Sequence, residues 1–527
     1  MAKIDATGAF SDRDASRWRS RLRSFFTADD NVDSSWLDNV IPSRRFLYPA
    51  LAVIAALKLM SVFFVVPLAD EGYYWLWGQF PAWSYYDHPP LGGWMMAFTS
   101  ALMGDGLWAL RSVTIPVYTG ILAIIWFWVR ELVEPDQRRD AFLTAAAVFT
   151  ATPWMMQYTS ILFHDYLLIG NGIAAAHFFA LFVRSVDRGE RKYRHLYLAC
   201  IFVGLAGLSK YSGVFIGLGF AAWVLFSPMG RSLLGTVHVW LGGGVAMILQ
   251  APVIYWNVVH DWPSFRYHLH DRIGDTMYDN ALMRMFDWTE NYIWMLSPIL
   301  FLVLLRFLFS NPQAPGLMGF QRPGRWVFIV TMAAFTYITL STSVSFYWTV
   351  TGLLFFSPVA FFFFKSEFEV RLHLIWGIFF CAMQVFNFTV VPTSMLTGTK
   401  TPFDFRISHG LHQIADEFAA IEKEFEPELL ITTDYRTASL LALTMQRSDI
   451  RAMSRRVDMF DFWFEPSEHK GKDALVLVYD RFPETDLVTE NFEKVRVIRE
   501  FSVERLGIEI QAYKFVYAEN YSGTGIH

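Results

Sequence analysis

Charged residues are scarce in this chain. Lys, Arg, Asp and Glu make up 18% of its 527 residues, whereas a soluble globular domain has about 25%. Hydrophobic residues make up 54% and aromatic residues 17%, and the mean hydropathy is +0.29. These values count against an ordinary soluble protein and indicate a polytopic α-helical membrane protein.

Cysteine is also scarce. Cys200 and Cys381 are the only two, and both lie in apolar runs, where a small buried hydrophobic side chain is the expected role. Neither a disulfide nor a cysteine-based metal site is predicted. The net charge of −5 implies no nucleic-acid partner. The polar N-terminus has no short apolar core, so we expect no cleavable signal peptide.

Long apolar stretches dominate the first three quarters of the chain. A spanning helix needs roughly 20 mostly apolar residues, and about eleven stretches approach that length: 46–67, 113–133, 141–159, 165–184, 195–209, 212–228, 235–258, 291–309, 325–342, 346–364 and 372–394. Lys210 lies between the short fifth and sixth stretches, so that pair is also compatible with one broken element. The apolar, Gly-rich segment after Pro89-Pro90 predicts an interfacial helix along the membrane surface.

Basic clusters fall on every second connection between these stretches. Cytoplasmic loops carry an excess of Lys and Arg, which makes residues 1–45 a cytosolic tail. The alternate connections then share the outer face, and they contain residues 68–94, 163–165, Lys210, 260–290 and 344–348. An odd number of spans places the C-terminal part on the same side.

The composition changes near residue 395. Residues 406–425 have helical periodicity, and strand-like segments follow at 429–434, 473–480, 495–503 and 508–518. This pattern predicts a membrane domain over 46–394 and a small α/β domain over 395–527. The latter has no Gly-rich phosphate loop, no CxxC and no HExxH motif.

One outer-face stretch concentrates polar and aromatic residues. Residues 68–94 read LADEGYYWLWGQFPAWSYYDHPPLGGW and directly follow the first apolar stretch. Acidic residues at the mouth of a membrane helix must face a cavity, a partner or water. The stretch is therefore expected to contribute to a functional site.

Collected together, the polar groups of the outer face predict one site, made of Asp70, Glu71, Asp87, His88, His164, Asp165, Lys210, Arg266, Arg272 and Arg284. A carboxylate can deprotonate a hydroxyl, and Lys, Arg or His can hold a departing phosphate. Transfer of a sugar from a lipid-linked phosphate needs both functions at a membrane surface.

The motifs ADEGYYWLW…YYDHPPLGGW, FHDYLL and GLSKYSG resemble those of the GT-C glycosyltransferases of the protein O-mannosyltransferase and lipid A aminoarabinose transferase type. The resemblance covers 46–394 and is most specific in 69–94. It is closest to the bacterial branch that adds galacturonic acid or similar sugars to lipopolysaccharide. Residues 434–443 and 457–464 also resemble the outer domain of that branch.

This resemblance implies an inverting transferase that moves a sugar from a polyprenyl phosphate to an envelope glycolipid or polysaccharide, such as lipid A or lipopolysaccharide core. The reaction would take place at the periplasmic face of a bacterial inner membrane. Asp70 matches the catalytic base, with Glu71 beside it as a second catalytic candidate. The implied substrate-binding residues are Tyr74, Tyr85, Tyr86, His88, Asp165 and Lys210. Asp87, Arg266, Arg272 and Arg284 are added as binding candidates because they are polar groups of the same outer face. His88 departs from the family pattern, which has Lys there.

No cofactor is required by this reading, and a divalent metal near Asp70 and His88 stays open. The spacing of His268 and His270 also suggests a metal, although a solvated loop rim is the commoner explanation.

Simpler readings compete at each position. The Asp70–Glu71 pair could be a solvated helix end, and Asp165 and Lys210 could neutralise each other structurally. Two other functions remain open: a flippase that moves a lipid-linked sugar without chemistry, and an O-mannosyltransferase that acts on protein.

Overall fold

A computed structural model describes residues 34–271, 280–310, 315–397, 406–479 and 485–524. The first three ranges are helical. Their α-helices are Ser34–Val40, Arg44–Phe63, Ala69–Gln79, Leu91–Met103, Leu107–Arg111, Thr114–Leu132, Arg138–Ala151, Pro153–Tyr158, Asp165–Asp187, Tyr193–Ser209, Val214–Phe226, Pro228–Arg231, Val237–Ile248, Ala251–Val259, Pro263–Arg266, Ala281–Leu296, Pro298–Phe309, Pro315–Thr339, Glu367–Thr389 and Thr393–Thr397. A π-helical turn (Tyr267–Asp271) and three 3₁₀ helices (Tyr211–Gly213, Phe346–Leu353 and Ser357–Phe363) complete this part.

Each of the eleven predicted stretches coincides with helical structure. The break at Lys210 is present: one helix ends at Ser209, and Lys210 itself is extended, with φ −156° and ψ 140°. The stretch 346–364 is not an α-helix but two 3₁₀ helices bent by 69°, which are unusually long for that geometry. This segment is buried inside the helical part.

Four helical segments of the described ranges are individually long and apolar enough to cross a membrane: Arg44–Phe63, Leu107–Leu132, Asp165–Asp187 and Glu367–Thr389. Three bent helix pairs would bring the number to seven. The count of eleven spans therefore stays a prediction. The segment after the diproline is a helix, Leu91–Met103, and its orientation along a membrane surface also stays a prediction.

The remaining ranges form a five-stranded sheet with helices. The strands are β1 (Leu429–Thr432), β2 (Ile450–Ala452), β3 (Ala474–Tyr479), β4 (Phe492–Arg505) and β5 (Ile508–Tyr521), in the order β2-β1-β3-β5-β4. Strand β1 is parallel to β2 and β3, whereas β5 is antiparallel to β3 and β4. The α-helices are Leu411–Phe425, Tyr435–Met445, Phe460–Trp463 and Thr485–Asn491. Sequence periodicity predicted every strand except β2, which is too short to show alternation.

Two helices bring this α/β unit against the membrane part. We call Ala69–Gln79 the site helix and Tyr435–Met445 the docking helix. They belong to one buried hydrophobic cluster, and they approach most closely at Gly72. A Cβ atom at Gly72 would lie 2.5 Å from the carbonyl oxygen of Ser439. Only glycine allows this contact.

We therefore expect Gly72→Ala to push the site and docking helices apart. Overpacking of this kind costs about 1–3 kcal/mol, so the thermal unfolding temperature in detergent should fall and the α/β unit should become more sensitive to protease. Gly92→Ala is the matched control, because a Cβ atom there meets nothing within 4 Å. Equal behaviour of the two variants would contradict the close approach at Gly72.

Candidate functional site

A cavity of about 1590 Å³ lies between the membrane part and the α/β unit. Typical small-molecule sites occupy about 300–1,000 Å³, so this one has room for more than one substrate group. Its lining includes many ionisable side chains and one tryptophan. They are Asp70, Tyr73, Tyr74, Tyr86, Asp87, His88, Tyr158, His164, Lys210, Tyr211, Tyr267, His268, Tyr337, Tyr347, Trp348, Tyr435, Arg436, Arg455 and Arg456.

Asp70 is the second residue of the site helix and reaches the cavity half-buried. The first turn of a helix stabilises negative charge, because its backbone N–H groups point toward that end. The structure thus places an acidic side chain at a helix N-terminus on the cavity wall, whereas the sequence indicated only that it faces a cavity, a partner or water.

Glu71 has different surroundings. Its carboxylate and the guanidinium of Arg111 are both 0% exposed and form an ion pair at 2.6 Å. The carboxylate also accepts hydrogen bonds from the backbone N–H groups of Leu68, at 3.0 Å, and Leu162, at 2.9 Å. Glu71 is not among the cavity-lining residues, so its contacts favour a structural role over the catalytic one that the sequence suggested.

A chain of polar contacts leads from the site helix to Lys210. The Tyr74 hydroxyl lies 2.5 Å from Nδ1 of His164, and Nε2 of His164 lies 3.4 Å from Asp165. Asp165 is buried and accepts two hydrogen bonds from Nζ of Lys210, at 2.9 and 3.0 Å. That ammonium also lies 4.8 Å from the ring centre of Tyr347. The predicted proximity of Asp165 and Lys210 is therefore present, with Lys210 on the cavity wall and Asp165 behind it.

His88 lies among rings. Its imidazole centre is 4.0 Å from that of His164, and Tyr74 and Trp77 contact it edge-on. These contacts place His88 on the cavity wall beside the Tyr74–His164 pair.

The tyrosines of the site helix are held in the protonated form. Burial and the neighbouring carboxylate of Asp87 raise the pKa of Tyr73 well above its usual value. Burial, Asp70 and Asp165 do the same to the pKa of Tyr74. Both phenols are therefore hydrogen-bond donors at neutral pH and not bases.

Asp87 connects the membrane part to the α/β unit. It accepts hydrogen bonds from the Tyr73 hydroxyl, at 2.7 Å, and from the Arg456 guanidinium, at 2.5 Å. The Tyr73 hydroxyl in turn accepts one from the backbone N–H of Met459, at 2.8 Å. Nε2 of His268 donates to the carbonyl of Asp87, at 2.9 Å. Asp87 thus fixes the 86–88 turn beneath the α/β unit.

Several predicted binding residues lie away from the cavity lining. Tyr85 is fully buried, stacks on Trp77 and donates to the Trp77 carbonyl. Arg284 donates to the carbonyls of Thr339 and Leu340 at the end of helix Pro315–Thr339. Arg266 is exposed and does not line the cavity, and Arg272 lies outside the described residues. Tyr86, by contrast, lines the cavity and packs on Tyr267.

The sequence reasoning did not assign the arginines of the α/β unit to the site. Arg456 is 369 positions from Asp87, and a single sequence carries no sign of such a distant contact. The only available signal was position, since Arg455 and Arg456 directly precede the 457–464 segment.

No group of three or more His, Cys, Asp or Glu side chains within the described ranges is arranged to hold a metal ion. The suggested metal near Asp70 and His88 is therefore not supported by a ligand cluster there. His268 and His270 both lie within the described residues, but only His268 lines the cavity.

Comparisons with known proteins find two solved structures that share the fold of this chain. Residues 87–256 match the dolichyl-phosphate-mannose-protein mannosyltransferase family. The crystal structure of ArnT from Cupriavidus metallidurans bound to undecaprenyl phosphate is similar at a TM-score of 0.57 and 15% identity, over 92% of this chain and 99% of that one. Its apo state gives 0.55 and 14%, over 90% and 98%. Archaeal AglB from Archaeoglobus fulgidus has a TM-score of 0.39 at 13% identity, over 77% of this chain and 65% of that one. No curated protein sequence matches.

The burial of Glu71 and Arg111 yields a prediction that distinguishes a structural role of Glu71 from a catalytic one. Removing one partner of a buried ion pair costs about 3–5 kcal/mol, so Glu71→Gln should lower the unfolding temperature strongly. The double variant Glu71→Gln/Arg111→Met should be less destabilised than Glu71→Gln, because no unpaired buried charge remains. Stability is measured by thermal unfolding in detergent. A Glu71→Gln protein of normal stability that has lost only its activity would instead support the catalytic reading.

Proposed function

We propose that this chain, a glycosyltransferase with the ArnT-like form of the GT-C fold, transfers a sugar from a polyprenyl phosphate to an acceptor hydroxyl in the cavity. The observation that carries the proposal is the shared cavity wall of Asp70 and Lys210. One supplies a carboxylate at a helix N-terminus and the other an ammonium. The similar ArnT structure holds undecaprenyl phosphate, which supports this class of donor.

In the proposed reaction, Asp70 takes the proton of the acceptor hydroxyl while the hydroxyl oxygen attacks C1 of the sugar. The bond between C1 and the phosphate oxygen breaks, and its electron pair leaves with the polyprenyl phosphate. Attack opposite the leaving group inverts the anomeric centre. Proton removal by a positioned carboxylate contributes about 10²–10⁴-fold to the rate.

Lys210 is proposed to hold the departing phosphate. Its ammonium has three donors, two of which Asp165 occupies. Asp165 thereby holds the ammonium at the cavity wall. The neighbouring His88, with Tyr74 and His164, is proposed to contact the sugar or its phosphate as part of the same wall.

The acceptor is proposed to be an envelope glycolipid or polysaccharide, such as lipid A or lipopolysaccharide core. The proposed setting is the periplasmic face of a bacterial inner membrane, with the N-terminus cytoplasmic and the α/β unit periplasmic. The alternation of basic loops supports this orientation. No cofactor enters the mechanism, since base and phosphate binder both come from the chain.

Transfer to protein is the second candidate. The family matched by residues 87–256 is described as a protein mannosyltransferase, which favours a serine or threonine hydroxyl as acceptor. The chemistry at Asp70 and Lys210 would be the same.

Asp70→Asn should lower the rate of transfer by about 10²–10⁴-fold, with little change in unfolding temperature, because the substitution keeps the shape of the side chain. The assay gives purified protein a radiolabelled polyprenyl-phosphate sugar and envelope lipid extract. Glu500→Gln, an exposed acid of the α/β unit, is the control. Undiminished transfer by Asp70→Asn would refute the base assignment, and label that becomes protease-sensitive would point to a protein acceptor. If labelled lipid crosses proteoliposomes at a rate that Asp70→Asn leaves unchanged and no product forms, the chain is a flippase.

Loss of the Lys210 ammonium should weaken donor binding. Lys210→Met alone would remove the ammonium that pairs with the buried Asp165 carboxylate, so we expect Lys210→Met/Asp165→Asn to fold better than the single variant. Hydrogen bonds to charged groups contribute about 1.5–3 kcal/mol, which predicts a donor KM at least tenfold higher in the double variant. Asp165→Asn alone is the control. A double variant with the wild-type KM for donor would contradict phosphate binding by Lys210.

A further inference from the structure

A second groove, of about 340 Å³, lies outside the cavity just described. The membrane part contributes an apolar side formed by residues 64–67, which directly follow the candidate span Arg44–Phe63, and by Leu107, which begins the candidate span Leu107–Leu132. The α/β unit contributes polar groups, among them His412, Gln413 and Arg505. The groove therefore combines a side on the membrane part that is apolar apart from Asp105 with a side on the α/β unit that carries the cationic Arg505.

The apolar side continues a surface that faces lipid. Leu59, Phe63 and Phe64 lie at the end of the candidate span Arg44–Phe63 and are strongly exposed, with Phe64 at 69%. Large apolar side chains on the outside of a spanning helix contact acyl chains, because no water is present there. The groove begins at Phe64, where this exposed strip ends.

The cationic side carries an unusual turn. Strands β4 and β5 are joined at Leu506-Gly507, where both residues have positive φ, 53° and 73°. Asn, Asp and Gly are preferred at such positions, yet Leu506 stands there with its side chain 73% exposed. It directly follows Arg505 of the groove. A strained apolar residue at the tip of a hairpin suits insertion into an apolar layer and not contact with water.

No ion pair joins Arg505 to the acidic side chain of the groove. Asp105 is the one acidic side chain among the described lining residues. Its carboxylate already accepts hydrogen bonds from Trp75, at 2.8 Å, and Gln79, at 3.1 Å. A phosphate placed beside Arg505 would therefore not have to displace Asp105 from an existing ion pair.

We propose that this groove binds a phospholipid of the surrounding bilayer. Arg505 binds the phosphate diester of the headgroup, the acyl chains lie along Phe63 and Phe64, and Leu506 enters the apolar layer beside them. Guanidinium groups bind phosphate oxygens in a bidentate manner. The lipid would hold the β4–β5 hairpin, and with it the α/β unit, at the membrane surface. This proposal does not depend on the proposed sugar transfer.

Native mass spectrometry of the full-length protein with added phosphatidylglycerol tests the phosphate contact. We expect Arg505→Glu to retain one lipid fewer than the wild type. Lys494→Glu is the matched control: it makes the same charge change in the same strand, roughly 35 Å away at 3.3 Å per residue, and should retain the wild-type number. Glycerol phosphate, which has no acyl chains, should not displace the lipid. Equal retention by Arg505→Glu and wild type would refute the site, and displacement by glycerol phosphate would show a free-phosphate site instead.

Fluorescence quenching in lipid nanodiscs tests the insertion of the hairpin without charge reversal. A fluorophore on Leu506→Cys, in a Cys200→Ala/Cys381→Ala background, should be quenched by brominated acyl chains and shielded from aqueous iodide. The same fluorophore on Lys494→Cys should be quenched by iodide and not by brominated acyl chains. If both positions are quenched equally by iodide and neither by brominated lipid, the hairpin does not enter the bilayer and the proposal fails.

Discussion

The buried ion pair of Glu71 and Arg111 holds together the segments from which the site is built. The guanidinium donates to both carboxylate oxygens of Glu71 and to the carbonyls of Ser61, Val62 and Val65, where the first long helix ends. The carboxylate accepts from backbone N–H groups at the start of the site helix and in the loop before Asp165. A buried pair is tolerated only when its remaining donors and acceptors are satisfied, and these contacts meet that condition. Consecutive helical residues point about 100° apart, so the burial of Glu71 turns Asp70 toward the cavity.

The two halves of the molecule make different contributions to the cavity. The membrane part supplies Asp70, Lys210, His88 and His164. The α/β unit supplies Tyr435 and three arginines. The close approach at Gly72 and the contact of Arg456 with Asp87 join the halves. The ring of Tyr435 also packs on Tyr73 and lies 4.4 Å from the Arg456 guanidinium. The α/β unit is thus a wall of the cavity and not a separate appendage.

Sequence reasoning predicted the parts of this arrangement that local patterns encode. Apolar stretches located the helices, alternating segments located four strands, and the grouping of Asp70, His88, Asp165 and Lys210 followed from charge alternation and from a family resemblance. It could not separate Asp70 from Glu71 by environment, because Arg111 is 40 positions from Glu71 and nothing local marks it as a partner. The loop arginines show the same limit, since a single sequence does not reveal which groups they contact. An arginine that caps a helix C-terminus, as Arg284 does, looks in sequence like one that binds phosphate.

The geometry also distinguishes Asp70 from Asp87, the other acid on the cavity wall. A general base must accept a proton without losing contacts that hold the fold together. Protonation of Asp87 would weaken its bonds to Arg456 and Tyr73, and those bonds join the two halves of the molecule. Asp70 is half-buried at the first turn of the site helix, where backbone dipoles favour a negative charge. The position of Asp70 on the cavity wall is compatible with the proposed role of base, which the resemblance implies.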